Sequence, residues 1–398
     1  MKTIAEKEIY LAGAVRTPLG KFQGGLAGFG ATDLGGLVVR EALRRAGAPA
    51  EAVDEVLMGN VLQAGIGQAP ARQAALKGGL PDTVAAMTVN MVCGSGLRAV
   101  MVAASEIRAG EASLIVAGGM ESMTNAPYLL PQARAGYRMG HGQVVDSMVQ
   151  DGLWCAFKNW HMGSAAELIA RRFEISRAAQ DEFAVGSHRK AVAAIEGGKF
   201  RAEILPVAVP QKKGDPLVLS VDESPRRDTT VEGLAKLRPA FEKDGSVTAG
   251  NAPGINDGAS ALVVCSGARA RELGITPLAR VTGYASGGTS PEMIFHAPTV
   301  AVRRLMEKTG RKIGDYDLIE ANEAFSAQAL ANGRELGWDW SRVNVHGGAV
   351  ALGHPIGASG ARVLTTLLYA LRDRGGSTGL ATLCLGGGNA VALSVEMC

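Results

Sequence analysis

One cysteine of the sequence, Cys93, lies where a hydrophobic run meets the start of a helical pattern. Residues 85–92 form a strand-like apolar run, and apolar side chains recur from Leu97 onward at three- and four-residue spacing. A cysteine at a helix N-terminus meets free backbone N–H groups and the positive end of the helix dipole, which favour a thiolate over a thiol. The sequence therefore indicates a nucleophile at Cys93, with a buried cysteine in a glycine-rich turn (Gly94 and Gly96) as the alternative.

Three further residues could complete a nucleophilic site. A cysteine nucleophile needs a base or a cationic neighbour, and His354 is the best placed of the six histidines, although it could instead be a turn residue that bonds its own loop. Asn322 follows a strand-like segment and could hold a water molecule or a ligand oxygen, or simply cap a helix. Cys384 lies in an apolar run before three glycines, where a cysteine is usually core packing. The roles of these residues depend on whether the fold brings them together.

The composition is typical of a folded enzyme without nucleic-acid or membrane partners. The 398 residues are 47% hydrophobic and 20% charged, enough for two or three domains with sizeable cores, and the net charge is only +3. No apolar run is long enough to span a membrane, and the N-terminus has no apolar signal core. The five cysteines are far apart and form no CxxC pair, which argues against a disulfide framework or a metal site and favours a reducing cytoplasm.

Strand-like and helix-like segments alternate along most of the chain, which predicts an α/β fold in layers. The alternation stops from 123 to 250, where prolines and charged runs indicate an inserted segment that covers one face of the core and carries ligand contacts. Within it, residues 164–167 have the form of a capping box, and Ser176 is a second helix cap. The alternation resumes beyond Pro277, and the pattern predicts a strand at 343–345.

A short string is repeated in the two ends of the chain. Ser95-Gly96-Leu97-Arg98 opens a helix before a strand that ends in two glycines, and Ser359-Gly360-Ala361-Arg362 does the same. The repeat suggests a duplicated α/β unit whose two helix N-termini face each other across a pseudo-twofold axis, so that one half supplies Cys93 and the other His354. We place the first half at residues 1–122 plus 251–276, the inserted loop domain at 123–250 and the second half at 277–398.

Six strings, in order and at matching separations, resemble the thiolase family over essentially the whole chain. They are Asn90–Gly96, Leu237–Phe241, Thr248–Asn251, Asn322–Phe325, Gly353–Gly357 and Cys384–Gly388. The similarity is greatest to the biosynthetic branch of the family, which acts on acetyl-CoA. The resemblance implies two similar α/β halves in αβαβα layers with an inserted loop domain, coenzyme A thioesters as substrates, no cofactor, and a homodimer or homotetramer.

The resemblance also implies a role for each candidate residue. Cys93 would be the acylated nucleophile, His354 the group that activates it, and Cys384 the acid/base that acts on the α-carbon of the second thioester. Asn322, through a water molecule, and His354 would stabilise the enolate oxygen, while the backbone N–H groups of Cys93 and Gly386 would form a second oxyanion hole. Contacts to coenzyme A would come from Leu153, His161, Met162, Arg226, Phe241, Ala249 and Phe325.

The implied reaction is the condensation of two acetyl-CoA molecules to acetoacetyl-CoA and CoA through an acyl-cysteine, together with the reverse thiolysis. A degradative 3-ketoacyl-CoA thiolase with longer substrates is the main alternative, and His161 and Met162 favour the short-chain reaction because they would cap the acyl pocket. An inactive acyl-CoA-binding or lipid-binding scaffold is the alternative outside enzymes, but it predicts loss of a catalytic candidate. Two departures from the family pattern affect binding: Pro253 stands where many relatives carry a serine that contacts pantetheine, and residues 290–296 differ in the acyl-pocket wall.

Overall fold

The computed structural model describes residues 8–398. Its strands are β1 (Ile9–Arg16), β2 (Gly20–Lys21), β3 (Glu55–Gly59), β4 (Ala85–Val89), β5 (Leu114–Ser122), β6 (Tyr128–Leu129), β7 (Val145–Asp146), β8 (Trp154–Cys155), β9 (Trp160–His161), β10 (Val207–Val209), β11 (Leu217–Leu219), β12 (Asn256–Ser266), β13 (Ala279–Gly288), β14 (Leu318–Ala321), β15 (Thr378–Leu385) and β16 (Asn389–Met397).

The helices begin and end as follows: α1 (Ala31–Ala46), α2 (Pro70–Lys77), α3 (Ser95–Ala109), α4 (Met162–Arg172), α5 (Arg177–Glu196), α6 (Val231–Ala235), α7 (Gly267–Glu272), α8 (Ala297–Thr309), α9 (Ser326–Leu336), α10 (Ala349–Leu352) and α11 (Ser359–Arg374). Short 3-10 helices lie at Ala50–Ala52, Pro291–His296 and Ile313–Asp315, and a π-helical turn lies at Met148–Leu153. None of the helices between residues 8 and 398 is long and apolar enough to cross a membrane.

Ten strands form one mixed sheet that consists of two similar halves. The first half has the order β4-β3-β5-β12-β1, with β2 paired to β12, and the second has the order β14-β15-β16-β13. In each half a parallel pair, β3–β5 or β14–β15, is followed by antiparallel pairs. The halves join where β1 and β13 pair antiparallel, Tyr10 with Arg280 and Leu11 with Ala279. The second half therefore repeats the strand order of the first.

The second half has no full counterpart of β4. Val343 forms a single parallel bridge with Ile319. The next residue, Asn344, has a positive φ of 45°, and its side chain bonds both the N–H and the C=O of Ala321 at 2.9 Å. The strand predicted at 343–345 is therefore wrong, because an asparagine side chain takes the place of the main-chain ladder.

The elements pack in five layers around three apolar cores. Helices α3 and α11 form the central layer, and their apolar faces share one core with strands of both halves. Helices α1 and α2 cover the outer face of the first half, and α8 and α9 cover that of the second. The αβαβα layering expected from the sequence is confirmed.

The two central helices touch backbone to backbone at their N-termini. A Cβ on Gly96 would lie 2.7 Å from the backbone N of Ala361, and a Cβ on Gly360 would collide with the backbone N of Leu97. Since Gly360 and Ala361 hold the same places in their string as Gly96 and Leu97 hold in theirs, the two contacts are equivalent under a pseudo-twofold axis. Any side chain at either glycine would push the helices apart.

The inserted segment leaves the first half between β5 and β12, where the second half has only the loop 386–388. The capping box predicted at residues 164–167 is wrong: α4 is capped by His161, and the Glu167 carboxylate instead accepts the backbone N–H groups of residues 246 and 247. The predicted cap at Ser176 is confirmed, since its side chain accepts the N–H of Ala179 at the start of α5. The domain boundaries themselves stay a prediction.

A buried ion pair fastens the inserted segment to the first strand of the core. Arg16, at the end of β1, donates two hydrogen bonds to the carboxylate of Asp222 at 2.7 and 2.9 Å and one to Glu203 at 2.5 Å. The side chains of Arg16 and Asp222 are fully buried. Asp222 also accepts the backbone N–H of Leu19. Loss of Asp222 would leave Arg16 with only Glu203 as a charged partner in the protein interior, and would remove the acceptor of the Leu19 N–H.

We therefore predict that Asp222→Ala lowers the free energy of unfolding by about 3–5 kcal/mol, the usual cost of breaking a buried ion pair on one side. Urea unfolding checks this as a lower midpoint at an unchanged slope. The control is Asp215→Ala, which removes an exposed carboxylate from the same segment and should change stability by less than about 0.5 kcal/mol. Equal midpoints for the two variants would show that Arg16 is satisfied without Asp222.

Candidate active site

Cys93 is held on a tight turn between β4 and α3. The preceding residue, Val92, has a positive φ of 47°, a strained conformation for a β-branched side chain. The Ser95 hydroxyl secures the turn, since it accepts the N–H of Met91 at 2.9 Å and donates to the C=O of Val92 at 2.6 Å. Gly94 has no room for a side chain, because a Cβ there would collide with Leu385 of the other half. The turn therefore presents the Cys93 sulfur toward the second half of the molecule.

The hydrogen bonds of His354 define which of its ring nitrogens is the base. Nδ1 lies 2.6 Å from the hydroxyl of Ser359, and that hydroxyl donates to the C=O of Pro355 at 2.8 Å. Since a hydroxyl has one hydrogen, Ser359 must accept from Nδ1–H. Nε2 of the neutral ring therefore carries a lone pair, and His354 lines the same cavity as Cys93.

Asn322 contacts a ring nitrogen of His354 and does not cap a helix, since the N-cap of α9 is Phe325. Its Nδ2 is 3.4 Å from Nε2 of His354, and the residue is 1% exposed. Within the described part of the chain its Oδ1 finds no hydrogen-bond partner. A buried acceptor of this kind is suited to a bound water molecule.

Cys384 lies near the end of β15, just before a three-glycine turn into β16. Leu385 pairs with Asn389 across this turn, and Gly387 and Gly388 have positive φ values of 80° and 90° that only glycine adopts easily. A Cβ on Gly386 would lie 2.9 Å from the Val92 side chain, so the loop rests against the turn that carries Cys93. The two halves thus bring their cysteines to one place.

These residues line a cavity of about 290 Å³. Of the residues predicted from the sequence, it brings together Cys93, Leu153, His161, Met162, Phe241, Phe325, His354, Cys384 and Gly386. Three predicted residues lie outside it. Asn322 contacts His354 from outside the cavity lining. Arg226 is exposed and lines a separate surface pocket together with His188, and Ala249 is exposed.

One wall of the cavity is aromatic. His161 stacks on Phe241 with ring centroids 4.8 Å apart, and Phe325 meets the edges of Phe241 and Phe295 at 6.1 and 5.2 Å. Phe295 and its neighbour Ile294, both from the 3-10 helix that begins at Pro291, were not assigned from the sequence. The signal was available, because residues 290–296 are the segment that departs from the family pattern.

Two buried carboxylates hold the loops of the site, and the sequence analysis missed both roles. Glu121, at the end of β5, accepts N–H groups from the first half and, at 2.9 Å, the N–H of Gly357 in the second half. Glu323 accepts from Ser187 at 2.8 Å, from Asn344 at 2.8 Å and from the N–H of Val350 at 3.1 Å. These bonds tie the segments that carry His354 and Asn322 to the rest of the protein.

Burial keeps the reacting groups neutral at rest. It raises the pKa of Cys93 to about 12, with the negative charge of Glu121 adding to the shift, and it raises the pKa of Cys384 well above its usual value. It lowers the pKa of His354 to about 3, and the positive charge of Arg362 adds to this. Burial thus opposes the thiolate that the sequence pattern indicated at Cys93, and α3 begins only two residues later.

The fold and the cavity together define a thiolase-type acyl-transfer site. Residues 9–268 match the model of the thiolase N-terminal domain and residues 275–397 that of the thiolase C-terminal domain, so the chain belongs to the thiolase family. The resemblance found in the sequence motifs is confirmed.

Several related proteins are named acetyl-CoA acetyltransferase. A Pseudomonas aeruginosa acetyl-CoA acetyltransferase is 57% identical over 389 residues, which is 98% of this chain and 99% of that protein. The acetyl-CoA acetyltransferase of Cupriavidus necator is 53% identical with the same coverage. The crystal structure of the Bacillus anthracis acetyl-CoA acetyltransferase matches with a TM-score of 0.97 and 43% identity over 100% of both chains.

A cysteine with a pKa of about 12 should be alkylated slowly at neutral pH, because the thiolate is the reactive form. We predict that the rate of iodoacetamide labelling at Cys93 rises about tenfold per pH unit between pH 7 and 9.5, as followed by peptide mass spectrometry. Prior incubation with acetyl-CoA should protect Cys93 but not the exposed Cys398. A labelling rate that levels off below pH 8.5 would show that Cys93 is already a thiolate.

Proposed function

We propose that the chain is an acetyl-CoA C-acetyltransferase, which condenses two acetyl-CoA molecules to acetoacetyl-CoA and CoA and catalyses the reverse thiolysis. One observation carries the proposal: Cys93, His354, Cys384 and Gly386 line a single cavity. The relatives named acetyl-CoA acetyltransferase, at 53–57% identity over almost the whole chain, support the choice of acetyl-CoA as the substrate.

The first half-reaction transfers an acetyl group to Cys93. Nε2 of His354 accepts the thiol proton as the sulfur attacks the thioester carbonyl, and the C–S bond to CoA breaks as the leaving sulfur takes the proton of the Cys384 thiol. A neutral pair at rest suits this step, since the proton moves only when a carbonyl is present to receive the sulfur. His354 is then left with a proton on Nε2, next to the amide of Asn322.

The second half-reaction removes a proton from the methyl carbon of the second acetyl-CoA. That proton is weakly acidic even beside a thioester, so the enolate oxygen needs fixed donors. Nε2–H of His354 and a water molecule held by Oδ1 of Asn322 supply them. The Cys384 thiolate, left when CoA departed with its proton, takes the proton from the methyl carbon. The enolate carbon then attacks the acetyl group on Cys93, with the backbone N–H groups of Cys93 and Gly386 on the developing oxyanion. The C–S bond to Cys93 breaks, and its sulfur regains the proton from Nε2 of His354.

The inserted segment binds the rest of coenzyme A in this proposal. Phe241 and Phe325 pack along the acyl end, while Arg226 and Ala249, outside the cavity, would meet the distant part of the nucleotide. Pro253, which lines the cavity, offers neither a hydroxyl nor an N–H, so the pantetheine amide must find another partner. No cofactor takes part, because the thioester supplies both the electrophile and the carbon acid.

The assembly and the cell compartment are also proposals. We expect a homodimer or homotetramer, as the family resemblance implies. In the described part of the chain, Cys93, Cys155, Cys265 and Cys384 form no disulfide, which suits a reducing cytoplasm.

The geometry favours short acyl groups over the longer substrates of a degradative thiolase. Phe295 and Phe325 meet edge to face, and His161 is pinned by its stack on Phe241 and by the N–H of Gly163, which its Nδ1 accepts at 3.0 Å. Met162 is the more adaptable part of this wall, since its side chain is flexible. An inactive scaffold is disfavoured, because none of the three reacting side chains has been replaced.

The roles of the two cysteines can be separated. We predict that Cys384→Ala still gains the mass of one acetyl group on Cys93 with acetyl-CoA, but loses condensation and the exchange of solvent deuterium into the methyl group by about 10²–10⁴-fold or more. Cys265→Ala is a matched control, because Cys265 is equally buried in a strand but packs in the outer core. Wild-type exchange in Cys384→Ala would mean that another group is the base.

Chain-length selectivity provides a second test. We predict that Met162→Ala raises the ratio of kcat/KM for a C8 3-ketoacyl-CoA to that for acetoacetyl-CoA by about tenfold, because a pocket distinguishes substrates by a few kcal/mol at most. Met306→Ala, on α8 and away from the cavity, is the control. A wild type that is equally fast on C4 and C16 substrates would refute the short-chain proposal.

A further inference from the structure

Another cavity, of about 330 Å³, lies next to the segment that carries Asn322, between α5 and residues 340–344. None of the described residues that line it also lines the substrate cavity. Its lining includes Phe183, Ser187, Lys190, Glu323, Trp340 and Asn344. Three of these, Ser187, Glu323 and Asn344, belong to the hydrogen-bond network next to Asn322.

The side chain of Lys190 is held by two backbone carbonyl groups. Its Nζ lies 3.0 Å from the C=O of Val343 and 3.5 Å from that of Trp340. A neutral amine has two hydrogens and one lone pair. With both hydrogens directed to the two carbonyl groups, the lone pair is directed away from them and is available to an electrophile.

Burial and one neighbouring charge favour the neutral form of Lys190. Burial lowers the pKa of Lys190, and Arg374 adds to this, while Glu323 and Glu320 act in the opposite direction. Burial raises the pKa of both carboxyls, that of Glu320 to about 8, which weakens their hold on an ammonium group at neutral pH. Glu182 is at the exposed rim of the cavity.

The cavity beside the amine is suited to a short acyl chain. Phe183 and Trp340 meet edge to face with centroids 5.5 Å apart, and both rings are only partly buried. Leu330 and Ala179 complete the apolar side. An acyl group on Lys190 would therefore pack against aromatic and aliphatic surface instead of extending into water.

We propose that Lys190 is an acyl-acceptor site, at which acetyl-CoA acylates the amine and the acylation slows turnover. The nitrogen lone pair forms a bond to the thioester carbonyl carbon, the C–S bond breaks with its electron pair on sulfur, and the proton lost by nitrogen goes to the CoA thiolate. The products are an amide and CoA. The choice of acetyl-CoA as donor rests on the proposed function, whereas the reactivity of the site does not.

Acylation would act through Asn344 on residues 321–323, which include Asn322. The amide retains one N–H, so one of the bonds to the C=O groups of Val343 and Trp340 is lost. Asn344 follows directly, and its side chain holds Ala321 and Glu323 on either side of Asn322. A shift of this segment would displace Asn322 from His354. Displacements of about 1 Å at a catalytic group can cost about 100-fold in rate.

Labelling tests the site separately from catalysis. In Cys93→Ala, which cannot form the acyl-enzyme, incubation with acetyl-CoA at pH 7.5 should acetylate Lys190 at least about tenfold faster than the exposed Lys212 and Lys213, since the neutral amine is the reactive form. Peptide mass spectrometry measures each site. Labelling of Lys190 no faster than that of Lys212 and Lys213 would overturn the proposal, even if the wild type is an active thiolase.

Turnover measurements test whether acylation of Lys190 slows the enzyme. Prolonged incubation with acetyl-CoA should lower the kcat of the wild type by about 10- to 100-fold, in step with the acetylation of Lys190. Lys190→Arg keeps N–H donors for the two carbonyl groups but does not acylate, so its kcat should stay constant over the same incubation. Lys190→Gln imitates the amide and should start low and not fall further. An equal loss of kcat in the wild type and in both variants would overturn the proposal.

Discussion

The active site depends on the contact between the N-termini of the two central helices. Gly96 and Gly360 let the backbones of α3 and α11 touch, and a Cβ at either position would meet main-chain atoms of the other helix. The cysteine turn before α3 and the histidine turn before α11 are therefore carried to the same place by one packing interaction. Neither half alone could form the site, because each supplies only part of the reacting set.

Buried carboxylates then hold the turns in position. Glu121 of the first half binds the N–H of Gly357 in the second, three residues after His354, and Glu323 binds Ser187 of the inserted segment. Buried acceptors of this kind are stable only when their hydrogen bonds are complete. A small movement of either loop would leave a carboxyl group unsatisfied, so the turns are restricted to one arrangement.

The same burial sets the electrostatics of the site. It opposes charge on Cys93, Cys384 and His354 at once, so the resting site is neutral. A proton transfer in such a surrounding produces charges that water does not screen, and fixed donors near the substrate oxygen are correspondingly effective. The burial that keeps the reacting groups neutral therefore also strengthens the fixed hydrogen-bond donors.

The sequence by itself determined the alternation of strands and helices, the duplication and the candidate residues. Amphipathic periodicity located α3, and the repeated Ser-Gly-x-Arg string located the start of α11 and indicated the two facing helix N-termini, because both signals are local in the chain. Only the tertiary structure decided the protonation of Cys93, the orientation of Asn322, and the wall formed by Phe295. Each of these depends on atoms distant in sequence. Burial by other segments opposes a charge on Cys93, and Asn322 contacts His354 instead of capping a helix. For the same reason residues 343–345 formed no strand, since Asn344 bonded Ala321 through its side chain.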